Sequence, residues 1–476
     1  MLKNIARFLT LKMNRRLYVI SWLVFAILTF LLLSILFKVD RFYYDADNYW
    51  GLGAYFFRSG SFSFTTFDYP VRGYFFPLLL MPVHAVSKIS GGHDVFLYNI
   101  FAAVCHPFFI VVVLPHLIKK LFHQEIKLYM IAVFYAMIMF FCYGFINAPL
   151  TDFWAIYFLC SAILIVKTQK TSFVGIACAG ILLGLTCNLR PIYLCVLPLF
   201  IIYTILQSGG KNRRAAAFFI LIFGVGLAWL PQVIINKANY DTYSPLMQTH
   251  VWFKDGLYFE QLNRGFAVEK YETDIDKPQD LVEVFYYNPT ALSIIEKEQL
   301  DRKKPFKDKS SMFELFEKYP FDFFIIYSSH IFNAMDIKYP EGIITNYHRS
   351  RSLYSLINYT VIFVGLFLLF INYKIVFNLI FRSWKNFLLL SMFLLPVAFT
   401  IPTQMEVRFF LPLHILLYAA CCFSEYPPRA FFQEKKNYLS ILLLYVSFVG
   451  LCFYISSKTI ADNPAGQPSR LGIQYP

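Results

Sequence analysis

Apolar runs of membrane length recur along the chain, separated by short polar turns, from Leu17 to Phe37 near one end to Tyr438 to Ser456 near the other. Between them lie Val71 to Ser90, Val95 to Ile118, Ile126 to Phe145, Leu150 to Val166, Ser172 to Leu189, Ile192 to Leu206, Ala215 to Ile235, Leu353 to Tyr373, Phe387 to Ile401 and Phe409 to Phe423. Roughly 20 apolar residues in a helix cross the hydrocarbon core of a bilayer, so the pattern predicts an all-α polytopic membrane protein of about 11–12 transmembrane helices. One long polar stretch divides it. Residues 1–235 form an N-terminal transmembrane module whose first outer loop covers 38–70, residues 236–352 form an extracytoplasmic insert, and residues 353–476 hold the C-terminal helices and a short outer tail.

Composition agrees with the pattern. A chain that is 58% hydrophobic and 15% charged exposes too much apolar surface for a water-soluble fold. The net charge of +14 reads as Lys and Arg held on the cytoplasmic side of many spans, so no nucleic-acid partner is expected. The nine cysteines fall in or beside apolar runs and show no CxxC spacing, so they specify neither a metal site nor a disulfide framework. Lys3, Arg7, Lys12, Arg15 and Arg16 precede the first run, and no small-residue cleavage site follows it, which marks a retained helix with its N-terminus in the cytoplasm.

Placing the basic loops inside (Lys119/Lys120/Lys127, Lys167/Lys170, Lys211/Arg213/Arg214, Lys374/Arg382/Lys385 and Arg429/Lys435/Lys436) puts the turns at Asn147–Pro149 and Asn188–Arg190, the insert and the tail outside. One conflict follows. Two apolar segments separate the outer loop holding Asp45 and Asp47 from the inner Lys119/Lys120, and an even number returns the chain to the same side. Val71 to Ser90, interrupted by Pro77 and Pro82, is the weaker of the two, so eleven spans plus one re-entrant or interfacial segment are expected. The insert carries about 15 Lys/Arg against about 18 Asp/Glu, unlike the basic remainder. Its end, Phe313 to Met335, mixes aromatics with charges as interfacial segments do.

The chemistry-bearing stretch is Tyr43-Tyr44-Asp45-Ala46-Asp47-Asn48-Tyr49-Trp50, just beyond the first span. Asp45 and Asp47 share a face of an extended loop but diverge by roughly 200 degrees on a helix, which would leave one of them in a site. The plain alternative is a pair of solvated loop acids. Arg72 suits either a lipid headgroup or a substrate phosphate, and Asp152 either a helix cap or a site. Arg190 and Arg408 stand in outer turns where guanidinium groups can hold a phosphate at the membrane surface, with Glu406 as a neutralising partner for Arg408. His330 and His348, at the outer entrance to the span beginning at Leu353, are weaker candidates, His348 lying beside Arg349 and Arg351.

Taken in order, these landmarks resemble the GT-C superfamily of integral-membrane glycosyltransferases, in the style of the protein O-mannosyltransferases and the lipid A aminoarabinose transferases. The resemblance is carried by the acids of the first outer loop, Ala54 and Gly60, Tyr69-Pro70 and Pro77, Leu150-Thr151-Asp152, Gly184-Leu185 leading into Leu189-Arg190-Pro191, and Glu406-Val407-Arg408-Phe409-Phe410-Leu411-Pro412. It implies a polyprenyl-phosphate-linked sugar as donor, a lipid, glycan or protein acceptor, and inverting transfer on the extracytoplasmic face of a bacterial plasma membrane. The first-loop acid would be the general base. The family's adjacent Asp-Glu pair lines up with Ala46 and Asp47, which makes Asp47 the implied base and Asp45 its alternative. Arg408, Arg190, Arg72 and His348 would bind phosphate. No metal ligand is assigned, and a divalent cation is left open. The rival readings are a lipid-linked polysaccharide polymerase or ligase, favoured by functional charges in the insert, and a flippase or transporter, favoured by polar residues in mid-helix and related halves.

Overall fold

A computed structural model describes residues 15–37, 39–122, 126–168, 172–277, 280–339, 351–381, 383–424 and 435–461. The chain folds as a helical bundle with a small mixed insert. The N-terminal helices are α1 (Arg15–Leu36), α2 (Tyr44–Leu52), α3 (Phe75–Ile89), α4 (Asp94–Phe108), α5 (Leu114–Phe122), α6 (Leu128–Ile146), α7 (Thr151–Thr168), α8 (Phe173–Leu189), α9 (Val196–Gln207) and α10 (Lys211–Tyr240). The insert contributes α11 (Leu257–Ala267), β1 (Val268–Lys277), β2 (Asp280–Tyr287), α12 (Pro289–Lys297), α13 (Lys309–Lys318) and α14 (Pro320–Met335). The remainder is α15 (Ser352–Ile371), α16 (Tyr373–Phe381), α17 (Trp384–Thr400), α18 (Leu411–Phe423) and α19 (Lys435–Ala461).

Among the described residues, seven helices are long and apolar enough to cross a bilayer, and five shorter apolar helices accompany them. The protein is therefore an integral membrane protein. A π-helical turn, Phe109–Val113, joins α4 to α5 into one continuous rod after His106-Pro107, where the proline cannot complete the regular ladder.

α3 does not traverse the bundle. At its start the Phe75 N–H donates to Asn188 Oδ1 at 3.0 Å, in the turn after α8. Past its end, the Tyr98 hydroxyl donates to the Ala148 carbonyl at 2.8 Å, in the turn before α7. Those two turns belong to one end of the bundle, because Arg190 beside the first is ion-paired to Asp152 beside the second. Along its length α3 packs on α2, with His84 edge-on to Trp50 and Phe76 edge-on to Tyr49. Both of its ends therefore lie toward the same end of the bundle.

α8 packs closely on α10, and small residues set the spacing. A side chain on Gly180 would run into the Leu221 carbonyl, and one on Gly224 into the Ala177 carbonyl. Backbones that approach this closely gain van der Waals contact where lipid offers no hydrophobic drive between helices.

The all-α expectation needs one amendment. Within the insert, β1 and β2 form an antiparallel hairpin whose pairing runs from Val268 opposite Tyr287. The insert has its own core around Phe259, Phe266, Ile294, Phe306, Phe323 and Ile326. It rests on the bundle loop before α18: Tyr271 N–H donates to the Met405 carbonyl at 2.9 Å, and Gln404 N–H to the Gln261 carbonyl at 3.2 Å.

Candidate active site

The loop that follows α1 is helical around Asp45. Tyr44 enters α2 with φ 50°, a left-handed conformation that costs a non-glycine residue free energy and turns the chain sharply just ahead of Asp45. Ala46, Tyr49 and Trp50 are buried and anchor the helix. Asp45, Asn48 and Tyr49 fall on one face at i, i+3 and i+4, while Asp47 is exposed on another. Only Asp45 meets the arginines.

Each arginine reaches the site from a different break in the bundle. Arg72 lies in the turn before α3, where Gly73 packs so closely on Asn188 that no side chain would fit. Arg190 is held extended, at φ −143° and ψ 107°, because Pro191 excludes helical geometry from the residue before it. Arg408 sits on a 3₁₀ turn, Val407–Phe410, that opens α18.

The three guanidinium groups interleave with three carboxylates. Arg72 Nη2 pairs with Asp45 Oδ1. Arg408 Nη2 donates to Asp45 Oδ2 at 2.9 Å, while its Nε lies 2.7 Å from Glu406 Oε2 and its Nη1 lies 3.9 Å from Asp152 Oδ2. Arg190 pairs with Asp152 Oδ1. Aromatic faces support the cations. The Tyr49 ring lies 5.1 Å from the Arg72 guanidinium, and the Phe409 ring lies between Arg190 and Arg408 at 4.9 and 5.7 Å.

The cluster is formally neutral, and its members differ in what they can release. Burial works to raise the Asp45 carboxyl, but Arg72 and Arg408 outweigh it and hold that group well below the usual carboxylate range. Burial raises Glu406 instead, and Asp45 and Asp152 add to the effect against the opposing pull of Arg408. Asp45 is the most open carboxylate at 30% exposed, against 21% for Glu406 and 5% for Asp152. Among the described residues, Arg72 Nε and Asp152 Oδ2 are buried without a hydrogen-bond partner, so the cluster keeps hydrogen-bonding capacity unspent.

Arg190 and Arg408 stand at the mouth of a cleft that runs into the helices between Ile156, Ile192, Tyr193, Pro396, Thr400 and Pro412. The cleft is narrow, with about 10 Å³ of room, enough for one water.

Five of the sequence candidates thus surround Asp45: Arg72, Asp152, Arg190, Glu406 and Arg408. Asp152 is an ion-pair partner and not a plain cap, and Glu406 neutralises Arg408. Asp47 lies outside the arginine cluster, and His348 lies outside the described residues. His330 is fully buried, its Nδ1 2.6 Å from the Ile401 carbonyl. Among the described residues, no three His, Cys, Asp or Glu side chains are arranged to hold a metal ion.

Two features escaped the sequence reading. Asp336 is wholly buried, accepting from Tyr359 Oη at 2.7 Å and Ser456 Oγ at 2.9 Å, with Lys338 Nζ 3.3 Å away and Lys270 Nζ at 3.9 Å. This cluster pins the insert to α15 and α19. Apart from Lys338, two residues on, the partners lie on three separate elements, β1, α15 and α19, far away in sequence. His106 is also fully buried within α4, against Trp154 at 4.8 Å, and a lone histidine in an apolar run carried no pattern.

No family model, curated protein or solved structure matches the chain.

Proposed function

We propose that the protein is a membrane glycosyltransferase that moves a sugar, with inversion, from a polyprenyl-phosphate-linked donor to an acceptor on the extracytoplasmic face of the membrane. The observation that carries this reading is the convergence of Arg190 and Arg408 on the mouth of an apolar cleft, with the Asp45 carboxylate bound to the same Arg408. The resemblance to GT-C transferases in the order of these landmarks supports it independently.

In this reading the donor phosphate lies on Arg190 and Arg408, and its polyprenyl chain parts the side chains of the cleft. The acceptor hydroxyl attacks the anomeric carbon from the opposite face of the sugar. The bond from that carbon to the phosphate oxygen breaks, and polyprenyl phosphate leaves with its new charge on the two guanidinium groups. The acceptor proton passes to Asp45. A carboxylate clamped by two arginines is a feeble base. Donor phosphate competes for Arg408, loosens that clamp and readies the base only when a donor is present. The geometry favours Asp45 over Asp47, which has no arginine near it to respond to the donor. Guanidinium groups supply the positive charge that the leaving phosphate requires.

The setting that goes with this chemistry is a bacterial plasma membrane, with a cell-envelope lipid, glycan or protein as acceptor. The polymerase or ligase reading gains nothing, because none of the six clustered charges comes from the insert. Photoactivatable polyprenyl phosphate, cross-linked to the purified protein and mapped by mass spectrometry, tests the site. Labelling on the peptides holding Ile192 or Pro396 is expected, and labelling confined to other helices would refute it.

A further inference from the structure

The insert presents an apolar surface to its surroundings, built with helical periodicity. In α14 the inward face carries Phe323, Ile326, His330 and Asn333, all buried. The opposite face carries Phe321, Phe324, Ile325 and Ile331, of which Phe321 is 84% exposed and Phe324 72%. α13 extends this surface: Lys309, Phe313 and Phe316 recur at i, i+4 and i+7, all exposed. Apolar area of this extent on one side of a domain is far more than scattered surface hydrophobes produce.

What covers it follows from where it leads. The C-terminal end of α14 is fixed to the bundle by the Asn358 side chain, which donates to the Met335 carbonyl at 2.8 Å, and by the His330 contact with Ile401. There Phe332 packs with Tyr359, Phe448 and Phe453 of α15 and α19, helices whose own outer faces are apolar and exposed. The apolar face of α14 is therefore continuous with the lipid-facing surface of the bundle. Basic residues stand at its far edge. Lys303, Lys307 and Lys309 are exposed just before and at the start of α13, where a surface helix meets anionic headgroups.

We infer that the α13–α14 pair is a membrane-resting paddle: its aromatic face lies in the headgroup–acyl boundary of an anionic leaflet, and it holds the insert against the bilayer beside the bundle. This does not depend on the transferase reading. The paddle fixes the height of the insert, and through Tyr271 and Met405 the height of the loop that carries Arg408.

The test uses the full chain in nanodiscs containing phosphatidylglycerol. Photoreactive benzoylphenylalanine replaces Phe321 or Phe324 in separate proteins, a change that keeps an aromatic ring at an exposed position and spares the core. A third protein carries it at Glu296, exposed on α12. After illumination, phospholipid adducts many-fold more abundant at 321 and 324 than at 296 are expected. Adduct yields no higher than at 296, or cross-linking of Phe321 to a second copy of the chain, would overturn the inference.

Discussion

Arg408 donates to Asp45 across 363 positions of sequence, Nη2 to Oδ2 at 2.9 Å, and so joins the loop after α1 to the loop before α18. The same guanidinium faces Glu406 and Asp152, which makes it the hub of the cluster. In the proposed mechanism the base and the phosphate site share this one cation and so cannot act independently.

The first prediction separates the two acids of the opening loop. Asp45→Asn should lower transfer by about 100-fold or more, the range that a positioned general base contributes. Asp47→Asn should leave turnover within a few-fold of the wild type, because Asp47 is exposed and stands apart from the arginines. Steady-state transfer with labelled donor decides between them, and a collapse only in Asp47→Asn would return the base to that residue.

Removing the hub has two consequences. Arg408→Ala strands Glu406 in a low-dielectric setting, while Asp152 keeps Arg190 and Asp45 keeps Arg72, and breaking a buried pair in this way costs about 3–5 kcal/mol. Thermal unfolding in detergent should show the loss, together with a donor KM raised by at least about tenfold, the equivalent of 1.4 kcal/mol. Arg408→Lys restores a charge but not the planar fork that reaches Asp45 and Glu406 at once. It should recover stability more than donor affinity, and equal recovery of both would argue against a phosphate role.

Acidity should tune donor binding through Glu406. Burial raises this carboxyl above its usual range, so it takes up a proton sooner than an ordinary glutamate as pH falls. Protonation then releases Arg408 from one carboxylate, while a phosphodiester donor stays anionic. Donor affinity should therefore rise as pH drops through the raised value, and Glu406→Gln should bind tightly with little pH dependence. Asp45, held low by Arg72 and Arg408, stays ionised across that window. Binding titrations between neutral and mildly acidic pH check the sign.

Gly73 offers a geometric test away from the charges. A methyl group there would collide with the Asn188 backbone carbonyl, two residues before Arg190, and would push apart the turns holding Arg72 and Arg190. Gly73→Ala should reduce transfer sharply in protein that still extracts folded, whereas Gly60→Ala, with open space around it but φ 86°, should cost mainly stability. Size-exclusion profiles and transfer rates measured together distinguish the two.

Much of the architecture was legible because membrane-length apolar runs leave the chain few choices. The segment at 71–90 stood out in the sequence for its prolines and its charge parity, and the packing of α3 along α2 is what the structure adds. The site was legible as a set of residue types at helix ends, but its wiring was not. Asp45 and Asp47 are equivalent in sequence, and only the pitch of α2, set by buried Tyr49 and Trp50, decides which one faces Arg72. The hairpin and the Asp336 cluster depend on partners from distant elements, so composition and period were silent about both.

The most direct measurement is donor turnover by the purified protein in liposomes, followed as release of polyprenyl phosphate from labelled polyprenyl-phosphate sugars, with wild type and Asp45→Asn side by side. The account predicts acceptor-dependent release by the wild type, retention of donor binding by Asp45→Asn, and loss of its turnover. No release from any such donor, or undiminished release by Asp45→Asn, would contradict it.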